Sequence, residues 1–383
     1  MAMPAPLTGI RVLELPAIGP VPFIGMLLAD LGAEVIRVDR VVAATDPLSQ
    51  LPVGPTGPLG RGRRSIGVDL AQSGGSVVVL DLVATCDVLV EGFRPGVAER
   101  LGVGPAEALG RNPRLVYGRM TGWGQDGPLA QTAGHDITYL AVSGLLHGMG
   151  AAGHAPTPPA NLVGDFGGGA MTMAVGLLAA VLSARSTGAG RVVDVAMIDG
   201  AAYLATMVRT LHGHGLWTDD REANIFDGGA PNYRCYQCAD GRYVAVGALE
   251  PRFWTVLVDT LGIGDAPSPY DRTSWTRLSA LLAEAFSKRA RDDWAVIFEP
   301  LDACVAPVLT LAEAPGYHHN AERSAYFDVA GVRVAAPPIR FGGMPSRGAA
   351  EPPSIGEDTD GLLAELGYDD ARRATLRSSG TVR

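Results

Sequence analysis

The sequence predicts a mixed α/β fold: a large domain on a doubly wound, mostly parallel sheet, with a smaller α+β domain beside it. Three observations carry this expectation. The β-prone run Ile10–Leu15 (IRVLEL) leads through a Gly/Pro turn at Pro16–Pro22 into a helical stretch, Phe23–Leu31, stopped by Gly32 and followed by a second strand, Glu34–Val38. Strand, glycine turn, helix, strand is the opening of a Rossmann-like sheet. The pattern then recurs, with strands at Ser65–Leu70, Cys86–Glu91 and Leu115–Met120 and a helix at Ser76–Thr85. The alternation breaks near residue 225, where an Asp240-Gly241 hairpin (Cys238–Ala248) precedes two amphipathic helices, Arg252–Leu261 and Trp275–Ala290.

The large domain is therefore expected at residues 1–205 and 325–383 and the small one at 225–315, with linkers at 206–224 and 316–324. Within the large domain, Asp165–Arg185 reads as the longest helix, Gly190–Ala196 as a strand and Ile198–His214 as a helix. Val329–Phe341 is expected to re-enter this domain, and Thr359–Leu376 to form a helical tail.

Composition sets further bounds. At 383 residues and 47% apolar the chain is too long for one small core and too apolar for disorder. Lys and Arg number 31 against 40 Asp and Glu, a net charge of −9 with no basic block, so neither nucleic acid nor an anionic membrane is an expected partner. Ala170–Ala184 is apolar but shorter than a membrane span and reads as a buried helix. Four cysteines are too few for a disulfide framework. Cys235 and Cys238 lie three apart on an extended segment, so their side chains face opposite ways and no metal site is expected. MAMPAPLTGI lacks the basic and apolar regions of a signal peptide, and the chain ends Thr-Val-Arg, so a cytoplasmic protein is expected.

Several segments point to chemistry. The turn Ile18-Gly19-Pro20-Val21-Pro22 follows a strand and opens a helix, where free N–H groups receive anions. It lacks G-x-G-x-x-G and two prolines remove N–H groups, which disfavours a nicotinamide cofactor. Arg37, Arg40, Arg61, Arg63, Arg64, Arg94 and Arg100 lie near strand ends, where forked cations suit a polyphosphate. Gly134-His135-Asp136 reads as a helix start whose amides face a developing oxyanion; equally, His135 fits a core histidine and Asp136 a helix cap. Gly164-Asp165-Phe166-Gly167-Gly168-Gly169 puts Asp165 at a helix start where capping alone does not require three glycines. Glu250 ends a strand before a helix.

Taken together, these segments resemble the class III (formyl-CoA-transferase-like) CoA-transferase family. The resemblance rests on DVLVEGFRPGVAERLG at 87–102, RVLEL near the N-terminus, GAEVIRVD at 32–39, TGWGQDGP at 121–128 and IGEDTDGLLAELGY at 355–368. Within the family, GHDITYLAVSG (134–144), LVGDFGGGAM (162–171), DGGAPNY (227–233), AVGALEP (245–251) and DACVAPVLT (302–310) resemble the α-methylacyl-CoA racemase branch. His135 carries that distinction, since the family's transferases usually hold another residue there.

The resemblance implies an interlocked homodimer and an enzyme that inverts the α-carbon of 2-methylacyl-CoA thioesters by 1,1-proton transfer through an enolate. It implies His135 and Asp165 as the two bases and Glu250 as the carboxylate partnering the histidine. Ile18, Arg40, Val68, Phe93, Arg94 and Arg100 would contact CoA, and Arg61 and Tyr139 would line the substrate pocket. The backbone N–H of Asp136 is the expected oxyanion donor. No metal or redox cofactor is expected, CoA entering as part of the acyl-CoA substrate. Met149, Met171, Met173, Met197 and Met207 offer either an adaptable acyl surface or ordinary core. The alternative is a CoA-transferase in which Asp165 attacks the thioester.

Overall fold

A computed structural model describes residues 4–41, 54–342 and 350–383; most of the Val41–Pro58 loop lies outside the described residues. Two compact units divide the chain: unit 1 is Met1–Ser143, Ala160–Leu204 and His319–Arg383, and unit 2 is Gly144–Pro159 and Ala205–His318.

Unit 1 begins β1 (Arg11–Glu14), α1 (Pro20–Asp30), β2 (Glu34–Asp39), β3 (Arg63–Gly67), α2 (Ser73–Val83) and β4 (Val88–Glu91). It continues α3 (Val97–Arg100), α4 (Pro105–Arg111), β5 (Val116–Thr121) and α5 (Asp136–Ser143), then, after Ala160, α6 (Thr172–Thr187), β6 (Arg191–Ala196) and α7 (Met197–Leu204). The six strands form one sheet in the order β3-β2-β1-β4-β5-β6, every pair parallel. Strands that are covered on both faces read as apolar runs, as Val12–Leu13 and Val88–Val90 do. One face packs Val79, Leu82 and Tyr117 with Leu362 and Leu363 of the tail. The other packs Ile24 and Leu28 of α1 with Met173 and Leu177 of α6. The chain runs outward from β1 to β3, then returns to β4 and runs the other way, so β1 and β4 flank a topological switch point.

Helix α6 does not begin at Asp165. Leu162–Met171 winds first as a π-helix, a rare, wider turn that is frequent at functional sites. The combined helix Leu162–Thr187 is long and apolar enough to cross a membrane by length and composition. It nevertheless buries Met173, Ala174, Leu177, Ala180, Val181 and Ala184 in unit 1.

Unit 2 holds α8 (Thr206–Gly213), β7 (Tyr233–Gln237), β8 (Tyr243–Gly247), α9 (Pro251–Leu261), α10 (Trp275–Phe286), α11 (Arg291–Phe298) and β9 (Val305–Pro307). The strands form an antiparallel sheet over a core with Trp254, Phe286, Trp294 and Phe298. The hairpin turns at Asp240-Gly241, with Gly241 at φ +77°, but its first strand starts at Tyr233. Cys235 is exposed and Cys238 buried.

Two boundaries differ from expectation. Gly144–Pro159 belongs to unit 2, because Arg221 donates to the carbonyls of His147 (2.9 Å), Ala151 (3.2 Å) and His154. Glu222 also accepts from the Ala152 N–H at 2.9 Å. Residues 206–224 are thus part of a folded unit rather than a linker. Chain return passes through α12 (His318–Glu322) to β10 (Tyr326–Val329) and β11 (Val332–Ala335), a hairpin separate from the parallel sheet. The tail, α13 (Thr359–Glu365) and α14 (Asp370–Ser378), is pinned to β3: Gly67 N–H donates to Thr359 Oγ1 at 3.1 Å and Val382 bridges to Val68.

The π segment meets α7 backbone to backbone. A Cβ on Gly168 would lie 2.5 Å from Ala201 N, and one on Gly200 would lie 1.9 Å from the Gly168 carbonyl oxygen. Gly200→Ala must therefore push the two helices apart. It is expected to cost about 1–3 kcal/mol, seen as a lower urea midpoint with an unchanged slope.

Candidate active site

The parallel sheet aims its strand C-termini at one edge. Ile18 follows β1, Arg40 follows β2, Val68 follows β3, and Phe93, Arg94 and Arg100 follow β4, so the expected CoA contacts share the edge where doubly wound sheets bind ligands.

The arginines separate by their partners. Arg37 pairs with Asp39 (2.8 Å), Arg61 with Asp30 (2.6 Å), Arg63 with Glu14 (2.9 Å) and Arg64 with Glu365 (2.7 Å). Arg40, Arg94 and Arg100 are exposed and have no ion pair among the described residues. Arg61 is 4% exposed, its guanidinium held by Asp30 and stacked over Phe327. The Val68 side chain is 1% exposed and packs in the core, leaving only its backbone at the edge. Phe93 is half-buried, its N–H donating to Glu91 Oε2 at 2.6 Å.

Two segments converge beside this edge. His135 precedes α5, its N–H donating to Thr138 Oγ1 (3.0 Å) and its carbonyl accepting from the Thr138 hydroxyl (2.7 Å) and N–H (2.8 Å). That reciprocal bonding fixes the loop and leaves the imidazole exposed. Asp136 turns inward at 4% exposure, and its Oδ2 accepts from the N–H groups of Gly164 (2.6 Å) and Asp165 (2.8 Å). The Asp136 N–H, at the first position of α5, finds no acceptor among the described residues.

Asp165 is half-buried in the π segment, and Asn161 Nδ2 donates to its Oδ2 at 3.4 Å. A Cβ on Gly19, which holds φ at +67°, would lie 3.8 Å from that oxygen, so the turn after β1 passes the carboxylate. Burial pushes the Asp165 carboxyl up, the Asp136 charge adds to it, and the Asn161 bond and the His135 imidazole pull the other way. Phe166 packs on Phe23 of α1 with ring centroids 5.0 Å apart. Tyr139 is buried, edge-on to Trp123 at 4.9 Å, and is pushed up to about 12 by burial and then by the Asp165 charge, with Arg94 opposing. Its ring fills the space beside Gly122, where a Cβ would meet the hydroxyl at 2.2 Å.

His135, Asp136, Tyr139 and Asp165 are thus gathered at two helix starts. Glu250 lies in unit 2, exposed at the N-cap position of α9 without a side-chain capping bond, and its charge acts on Tyr270 and Cys304. Of the methionines, Met173 and Met197 are core in unit 1 and Met171 is exposed there, while Met207 is exposed in unit 2. Sequence reasoning missed Asn161, Trp123 and the Asp136 side chain. The three glycines after Phe166 were the available sign that this helix start was not an ordinary cap.

A switch-point α/β sheet whose ligand edge carries arginines with no ion pair among the described residues, with an imidazole and a carboxyl beside them, is of the class that suits a substrate carrying phosphates. The chain belongs to the CoA-transferase family III, whose model matches residues 7–359. It is 41% identical over 385 residues to the mouse (Mus musculus) alpha-methylacyl-CoA racemase, covering 98% of this chain and 97% of that one. The human (Homo sapiens) alpha-methylacyl-CoA racemase is 40% identical over 382 residues, with the same coverage. Among solved structures, a CAIB/BAIF family protein from Brucella suis superposes with a TM-score of 0.81 at 25% identity, over 95% of this chain and 100% of that one.

The sorting of the arginines has a direct test. Arg94→Ala and Arg100→Ala are each expected to weaken CoA binding by roughly tenfold in calorimetric titration, with little change in melting. Arg61→Ala is expected to cost about 3–5 kcal/mol of stability instead, because Asp30 is left buried and unpaired.

Proposed function

We propose that the chain is an acyl-CoA racemase that inverts the α-carbon of 2-methylacyl-CoA thioesters. The observation that carries this is the meeting of His135 and Asp165, from two different helix starts, beside a sheet edge with free arginines. The two racemases at 41% and 40% identity over nearly the whole chain support the same reading.

The α-hydrogen of a thioester is weakly acidic, and inversion needs it removed on one face and replaced on the other. One base takes the α-proton, the electron pair moves onto the thioester oxygen as an enolate, and the other base returns a proton to carbon. His135 and Asp165 exchange roles with the configuration of the substrate. The unpaired Asp136 N–H at the start of α5 is the oxyanion donor, worth on the order of 3 kcal/mol. CoA arrives with the substrate, and the reaction needs no other cofactor.

CoA transfer is the second reading, favoured by the family and by relatives such as the human succinyl-CoA:glutarate CoA-transferase at 28% identity. There Asp165 would attack the thioester carbonyl and expel CoA thiolate, leaving a mixed anhydride. Deuterated water separates the two. With 2-methylacyl-CoA and no acceptor acid, wild-type enzyme is expected to place solvent deuterium at the α-carbon and scramble its configuration. His135→Ala and Asp165→Ala are each expected to lose inversion by about 10²–10⁴-fold. No label without an acceptor acid, together with CoA transfer once one is added, would establish the transferase.

Self-association into an interlocked homodimer belongs to the same proposal. Ile137, Val142, Leu162, Val175, Leu182 and Tyr203 are large apolar side chains exposed on unit 1, available to such an interface. Sedimentation at micromolar concentration is expected to give twice the chain mass, with no folded monomer on dilution.

A further inference from the structure

We propose that the carboxylate of Asp136 is a positioning residue for the reaction: it clasps the first turn of the Asp165 segment to the His135 loop and keeps a like charge beside Asp165. The inference goes beyond the role given to the Asp136 backbone and rests on the racemase reading.

The geometry carries it. Asp136 follows His135 directly, so its main chain moves with one base. Its Oδ2 holds the N–H of Gly164 at 2.6 Å and that of Asp165 itself at 2.8 Å, so its side chain moves with the other. The free amides of a helix start need an acceptor, and here that acceptor comes from across the site, 28 and 29 residues away in sequence. Gly164 keeps the approach open, since a Cβ there would lie 2.7 Å from Asp136 Oδ2. The other oxygen, Oδ1, is buried with no hydrogen-bond partner among the described residues. A buried oxygen left unbonded is costly.

The second consequence is electrostatic. Groups acting on Asp165 are Asp136, His135 and the Asn161 amide, and Tyr139 of α5 senses the Asp165 charge. Of the other elements packed on the π segment, α1 carries only Asp30, paired with Arg61. Asp199 and Tyr203 lie on α7, and Arg185 is in the last turn of α6. Asp136 is thus the acidic neighbour that acts on Asp165, and its charge favours the protonated carboxyl that must return a proton to carbon.

Three variants test this in the racemisation assay, read as kcat/KM against pH with both enantiomers. Asp136→Asn keeps an oxygen for the two amides and removes the charge. The acid limb of its profile is expected to move down by roughly one pH unit, with a plateau at least tenfold above that of Asp136→Ala. Asp136→Ala loses clasp and charge together and is expected to fall by about 100-fold in kcat with a smaller change in KM. Gly164→Ala displaces the clasp and keeps the charge, so its kcat should drop while the acid limb stays in place. An acid limb unmoved in Asp136→Asn, or wild-type kcat in Asp136→Ala, overturns the proposal while wild type still racemises. Should Asp136→Asn fail to fold, a displaced acid limb in Gly164→Ala overturns it and an undisplaced one with lowered kcat supports it. Absence of α-exchange in wild type sinks the racemase reading, and this proposal with it.

Discussion

A guanidinium shut away from water holds the ligand edge of the sheet in place. Arg63 on β3 and Glu14 on β1 pair at 2.9 Å with side chains 0% and 1% exposed. Burial pushes Glu14 up and Arg63 down, against the attraction between them. Such a pair adds little net stability, yet removing one member strands a charge at about 3–5 kcal/mol. The same guanidinium donates to the carbonyls of Pro22, Leu59 and Arg61. It therefore ties two strands to the first turn of α1, and that turn carries Gly19 past the Asp165 carboxylate. Registers that misplace the turn must leave this buried cation short of acceptors, which penalises them heavily.

The same principle explains how an acidic chain presents a cationic edge. A net charge of −9 says nothing of where cations lie free. Carboxylates at 30, 34, 39 and 365 neutralise the arginines nearest the sheet body, while Arg40, Arg94 and Arg100 have no ion pair among the described residues. Selective neutralisation of this kind concentrates positive potential where the cations are left unpaired.

The strand-turn-helix succession was readable because each piece is local: apolar runs, a glycine stop and a recurring period. The placement of His135 and Asp165 at helix starts was readable for the same reason. The fate of each arginine was not, since Arg63 meets Glu14 49 residues away and Arg64 meets Glu365 301 residues away. Gly144–Pro159 was misassigned because carbonyls hold it to Arg221, and every residue type carries a carbonyl. The π turn escaped because ten residues are too few for its wider period to stand apart from the α-helical one. The Asp136 clasp escaped because an aspartate opening a helix reads as that helix's own cap, whereas this one caps a different helix.

A two-base inversion asks a carboxyl and an imidazole to hold the same proton in turn. An ordinary carboxylate binds a proton more weakly than imidazole by about 3.5 kcal/mol. Left at that value, the form with the proton on Asp165 would be scarce, and the half-reaction in which Asp165 is the acid would start from a minor state. Burial and the Asp136 charge both act on Asp165 in the direction that closes this gap. His135 stays exposed beside it, its loop fixed through Thr138 rather than by burial of the ring. The site thus surrounds the two proposed bases unequally, as their unequal chemistry requires. It removes water and adds negative charge around the weaker base, and leaves the stronger one in contact with solvent.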